Sequence, residues 1–136
     1  MKRVIRATIG VAALGLALSG TAALALEHKG APHLLSKVEA GLWEVSKPGS
    51  RMAPRRICLA DVSMLAQFEH LGNQCTRMTV SEEGNNALMR YTCARGGFGS
   101  SEVQVVTPRS LRIVTQGIKE GLPFHDTLHA RRIGAC

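Results

Sequence analysis

The sequence predicts an α+β protein that is mostly β: a curved antiparallel sheet or partial barrel of about seven strands with one helix, stapled by two disulfides. Three observations predict it. Apolar and polar residues alternate with period two in short segments from Gly41 onward, separated by turns rich in Gly, Pro and Asn. One segment, after Asp61, carries a helical stripe instead. All four cysteines, Cys58, Cys75, Cys93 and Cys136, lie downstream of an export signal, which makes disulfides their expected state.

That signal occupies residues 1–25. Lys2, Arg3 and Arg6 precede an apolar run from Ile9 to Leu18, and small residues follow from Ser19 to Ala25. This is the order of a secretory signal peptide, with cleavage expected after Ala25. The apolar run falls short of the roughly 20 residues that span a bilayer. The next residue is Leu26, not cysteine, which argues against a lipid anchor. A chain cut there loses three cations and no acid, so its net charge falls from +7 to +4. It has no second apolar stretch that would span a membrane. Its basic residues are scattered and its aromatics few, so nucleic acid is not an expected partner. A periplasmic or secreted domain with an unidentified envelope ligand or protein partner is expected.

Residues 26–37 contain Gly30 and Pro32 and show little periodicity. They read as a flexible lead-in, with one helical turn at Leu34-Leu35. A single domain then fills 38–136. Gly41 to Ser46 alternates with Trp43 and Val45 on one face, and ends at Lys47-Pro48-Gly49. Pro54 to Leu59 reads as a second strand. Asp61 is a good N-cap for the helix; Leu65, Phe68 and Leu71 form its stripe, with Met64 beside them, and Gly72 suits C′.

Sheet resumes with Thr76–Val80 and Leu88–Ala94 around a turn at 81–86. Gly96 to Gly99 makes a corner. Ser101–Val106 and Leu111–Gln116 flank Thr107-Pro108-Arg109-Ser110, where proline suits the second turn position. After Gly117 to Gly121, a last strand runs from Phe124 to Ile133.

Four cysteines allow three pairings. Aligning Met78 with Tyr91 and Val80 with Met89 keeps apolar residues on one face of the hairpin. That register turns Cys93 inward and leaves Cys75 out of phase. It favours Cys58–Cys75 with Cys93–Cys136. The rival, Cys75–Cys93 with Cys58–Cys136, needs a register change of one residue.

The ordered set of Gly41-Leu42-Trp43-Glu44-Val45, Cys58-Leu59 before a helix, Cys75 and Cys93 around a hairpin, and the terminal Arg131-Arg132-Ile133-Gly134-Ala135-Cys136 resembles family 3617 of the domains of unknown function. These are small exported proteins of Gram-negative bacteria. The resemblance spans Val38 to Cys136. It implies export, a cysteine framework and a β-rich fold. It implies no activity, cofactor or catalytic residue.

The chemistry-bearing residues are few. Gly96-Gly97-Phe98-Gly99-Ser100 lacks the Lys-Ser/Thr of a phosphate-binding loop, and no helix follows it, so it reads as a structural corner. No nucleophile elbow or acid pair is present. His125 and His129 on a strand stand roughly 13 Å apart, too far to share a zinc ion. The last strand instead separates Phe124, Leu128 and Ala130 from a polar side of His125, Thr127, His129 and Arg131. Arg112 and Gln116 extend that side on the preceding strand, and Glu102 and Gln104 lie beyond. On a flat sheet this is a solvated face; on a concave sheet Arg112, Gln116, His125, Thr127, His129 and Arg131 form a candidate ligand face.

Cleavage after Ala25 would also create an amino terminus Leu26-Glu27-His28. Its amine, the amides of Glu27 and His28, and the His28 imidazole suit square-planar Cu(II) or Ni(II). The leading expectation is a non-enzymatic exported binding or interaction domain with no cofactor. The alternative is a metal-handling protein using His28, with His33 nearby. The third is an enzyme whose groups, Arg112, His125, His129 and Arg131, converge only in the fold.

Overall fold

The structure, a computed structural model, describes residues 28–136. The expected signal peptide, its cut after Ala25, and Leu26 and Glu27 lie outside those residues. The sheet has β1 (His28–Lys29), β2 (Gly41–Ser46), β3 (Arg55–Leu59), β4 (Cys75–Glu83), β5 (Asn86–Cys93), β6 (Phe98–Thr107), β7 (Ser110–Lys119) and β8 (Leu122–Gly134). All pairings are antiparallel, in the order β1-β4-β5-β6-β7-β8-β2-β3. Seven strands are substantial; β1 adds two residues at one edge. Strands β4 to β8 form a meander, and the β2–β3 hairpin docks beyond β8.

The turns explain why these strands are longer than the alternation alone suggests. Only Gly84 and Asn85 separate β4 from β5, with φ +59° at Gly84, the first central residue. Glycine there suits a two-residue hairpin, and polar Ser81 to Glu83 stay in the strand because it is solvated at that end. Pro108-Arg109 joins β6 to β7. Glu120 (φ +51°) and Gly121 (φ +78°) join β7 to β8, both left-handed as a type I′ turn requires.

Between β3 and β4 the chain crosses the inner face of the sheet as a helix, Val62–His70, packed against β5, β6 and β7. Asp61 caps it, its carboxylate accepting from the Ser63 amide at 2.9 Å. The helix is 3-10 rather than α, broken at Gln67. Its apolar residues Val62, Leu65, Phe68 and Leu71 recur every third position, the 3-10 period. The break turns Gln67 inward, where its oxygen accepts from Arg77 Nη1 at 2.6 Å and its amide donates to the Asn73 carbonyl at 3.3 Å.

The core lies between helix and sheet. Trp43 is fully buried in one cluster with Val45, Leu65, Phe68, Met89, Ile113 and Leu128. Its indole N–H donates to the Glu39 carbonyl at 3.1 Å.

One expectation needs correction. The disulfides are Cys58–Cys136 and Cys75–Cys93, not Cys58–Cys75 and Cys93–Cys136. Near its turn the β4–β5 hairpin has the expected register, with Ser81 opposite Leu88. A bulge at Val80 then shifts it by one, so Thr79 faces Met89 and Cys75 faces Cys93. The other bond reaches over β2, tying the end of the chain to edge strand β3, with Cα atoms 5.6 Å apart.

The lead-in contains the expected helical turn at Leu34-Leu35. Its last residues, His33–Lys37, form a 3-10 turn that buries Leu34 and Leu35. The Glu82 carboxylate accepts from the amides of His33 (2.9 Å) and Leu34 (2.6 Å), fixing this turn to β4. No helix among the described residues is long and apolar enough to cross a membrane. Two closed disulfides suit folding in an oxidising, extracytoplasmic compartment.

Candidate functional site

Alternation along the strands divides the sheet into an inner face, covered by the helix, and an outer face. On β7, Leu111, Ile113 and Thr115 are buried while Arg112 and Gln116 are exposed. On β8, Leu128 and Ala130 are buried while His125, His129 and Arg131 are exposed and Thr127 is half-buried. All six expected ligand-face residues therefore share the outer face.

The register arranges them in rungs. One rung crosses four strands as Gln104, Arg112, His129 and Ser46. The next runs Ser110, Arg131, Glu44 and Arg56. A cavity of about 450 Å³ spans these two rungs, lined by Glu44, Ser46, Val106, Arg112, His129 and Arg131, among others. Gln116 faces His125, and Thr127 faces Val114, farther along the same strands and outside the cavity. The structure thus brings together three of the six expected residues.

Charge in the cavity is unevenly compensated. Glu44 accepts from Arg56 Nε at 3.1 Å and lies 3.3 Å from Arg131 Nη2. Its carboxylate is fully engaged by two guanidiniums. Arg112 makes no ion pair among the described residues. Ser46 Oγ donates to the His129 carbonyl at 3.4 Å, holding β2 against β8 beside the imidazole. Val106 supplies an apolar lip. A register shift between Val105 and Thr107 leaves it out of the ladder and 60 % exposed.

Glu44, Ser46 and Val106 were not among the expected site residues. Alternation with buried Trp43 and Val45 places Glu44 and Ser46 on the outer face of β2, so half of their signal is in the sequence. The other half, that β2 docks beside β8, is a long-range pairing that no local pattern carries. His28, the expected metal ligand, lies in β1, where its backbone pairs with Thr79 of β4. Chelation through the His28 amide would take that amide out of the edge ladder. His33 is exposed at the start of the 3-10 turn.

The model of the family described as "Protein of unknown function (DUF3617)" matches residues 38–136. The chain belongs to the DUF3617 family. The match contains every strand from β2 to β8, both disulfides and the whole outer cavity; β1 and the first 3-10 turn precede it. The DUF3617 description names no activity. No curated protein and no solved structure matches the chain.

Proposed function

We propose that this DUF3617 protein is a non-enzymatic, exported binding domain of the cell envelope. Its outer cavity takes an anionic ligand with an apolar body. The observation that supports this most is Arg112. It is an exposed guanidinium with no ion pair among the described residues, set on one rung with His129 and one rung from Arg131. A guanidinium presents a rigid fork of donors that matches a carboxylate. Glu44 does not compete for Arg112, being held by Arg56 and Arg131.

Beside these donors, exposed Val106 supplies an apolar contact for a hydrocarbon segment. The volume is within the range of small-ligand sites. The groups also favour binding over turnover. Guanidinium protons are not given up at physiological pH. The His129 side chain has no hydrogen-bond partner to orient it as a base among the described residues.

Titration of the exported protein with octanoate, followed residue by residue by NMR, tests the reading. Saturable shifts centred on Val106, Arg112, His129 and Arg131 are expected. Acetate and octanol, each lacking one half of the ligand, should bind about tenfold more weakly or worse. Shifts scattered over the surface, or turnover that depends on one side chain, would overturn it.

A further inference from the structure

The two edges of this sheet are finished differently. At one edge β4 is covered. Strand β1 pairs with it, the Gly30 amide donates to the Arg77 carbonyl at 3.2 Å, and the Glu82 carboxylate anchors the first 3-10 turn beside it. At the other edge β3 pairs with β2 on one side and with no strand on the other. Among the described residues, no backbone group outside β2 bonds to the backbone of Arg55–Leu59. A strand in an antiparallel sheet pairs through alternate residues on each side, so about half of these N–H and C=O groups point away from β2. Such a row is a template for one more strand.

The template is formed in advance. The register with β2 is unbroken from Leu59 to Arg55, with no bulge, and Pro54 precedes the strand rather than interrupting it. Cys58, within β3, is bonded to Cys136, which fixes the edge to the end of the chain. An incoming segment would therefore bear the cost of ordering itself and not that of ordering β3.

What guards this edge is charge of one sign. From Lys47 to Ala60 the chain has four cations and no acid. Lys47 is held by Glu69 and Asp126, and Arg56 by Glu44. Arg51 and Arg55 are exposed and in no ion pair among the described residues. The Arg55 guanidinium lies over the Phe68 ring, 5.2 Å from its centroid, on the inner side of the edge. Met52, 65 % exposed, adds an apolar contact just before the strand.

We propose that the free edge of β3 takes an extended acidic segment of a partner protein as a further strand. Its main chain pairs with β3, and its carboxylates meet Arg51 and Arg55. Like charge along the edge disfavours a second copy of this chain in the same place. The surface is distinct from the outer cavity, whose lining comes from β2, β6, β7 and β8.

Three blocked octapeptides, titrated into the exported protein and followed by NMR, test this. One alternates glutamate with threonine, one alternates lysine with threonine, and one is the glutamate peptide N-methylated at every backbone amide. The glutamate peptide should saturate with a Kd below about 1 mM. It should move the amides of Arg55 to Leu59 and slow the exchange of those in the new ladder, while β1 and β4 stay unchanged. The lysine peptide should leave β3 unchanged. The N-methylated peptide keeps its charge but cannot donate, and should bind at least about tenfold more weakly. Arg51→Gln with Arg55→Gln should weaken the glutamate peptide about tenfold and leave the Trp43 emission as it is. Equal binding of the N-methylated peptide would reduce the contact to charge alone and overturn the proposal. So would shifts confined to Val106, Arg112 and His129, which would put the peptide in the outer cavity. Shifts at β3 that grow with protein concentration alone would make a second copy the occupant, and silence of β3 in every arm would leave the edge without one; either result would overturn the proposal.

Discussion

The inner and outer faces of this sheet are built from the same strands, residue by alternate residue, and they are committed differently. Inner residues are packed beyond exchange with water: Trp43, Met89, Val103, Ile113 and Leu128 are at most 1 % exposed. Inner hydroxyls are tied down as well. Ser101 Oγ reaches both the Ala66 carbonyl and the Thr115 hydroxyl. The outer face keeps Arg112, Gln116, His125 and His129 in solvent. A slip of one residue in any strand would exchange the two sets. Bulges at Val80 and Val106 therefore mark places where the chain changes phase without giving up the division. Packing and exposed polar chemistry are thus separated, although neighbouring residues carry them.

The largest effect expected from breaking the inner face is at Trp43. Trp43→Ala should cost about 3–5 kcal/mol in denaturant unfolding. The native emission of this single tryptophan should be that of a buried indole. A solvent-exposed spectrum would contradict the packing.

The disulfides come next. Peptide mapping should link Cys58 to Cys136 and Cys75 to Cys93, and detection of a Cys58–Cys75 peptide would reject the β4–β5 register. Losing either bond should cost about 2–5 kcal/mol. Cys58→Ala should cost more than Cys75→Ala by about 1 kcal/mol, because the sequence separations are 78 and 18.

Tyr91 sharpens the comparison through pH. Its pKa is raised to about 12 chiefly by burial, above the ordinary value of about 10 for an exposed phenol. Between those values the unfolded chain gives up a proton that the folded one keeps. Stability is therefore full below about pH 10 and falls by about 1.4 kcal/mol per pH unit up to about pH 12. This is the only tyrosine, so phenolate absorption reports it alone. Tyr91→Phe should remove this part of the alkaline loss, and an unchanged slope would show that another group carries it.

The two faces also differ in how much of them the sequence reveals. Trp43, Val45, Leu128 and Ala130 announce the inner face by alternation, and the spacing of Val62, Leu65, Phe68 and Leu71 carries even the 3-10 character of the helix. The bulge at Val80 is hidden, because a single unpaired residue in a strand of mixed polarity leaves no periodic trace. The disulfide pairing turned on that residue. The turn at Leu34-Leu35 is legible, but the Glu82 carboxylate that holds it, 48 residues beyond Leu34, is not.

On the outer face, Arg112, His129 and Arg131 are legible as neighbours from strand alternation. Their cavity is not, since it needs β2 beside β8 and Val106 displaced from its ladder. His70 is the least legible of all. In sequence it ends an apolar helix, and the loops that close over it come from two distant hairpins.

The most direct measurement is a double variant, Arg112→Ala with Arg131→Ala, tested for stability and for octanoate binding in the same preparation. Removing these exposed side chains should change unfolding by no more than about 0.5 kcal/mol. Octanoate affinity should fall at least about tenfold for each guanidinium lost. A variant that unfolds more readily by several kcal/mol would show that the outer face also holds the fold. A variant that binds octanoate as tightly as the parent would show that these arginines do not form the site.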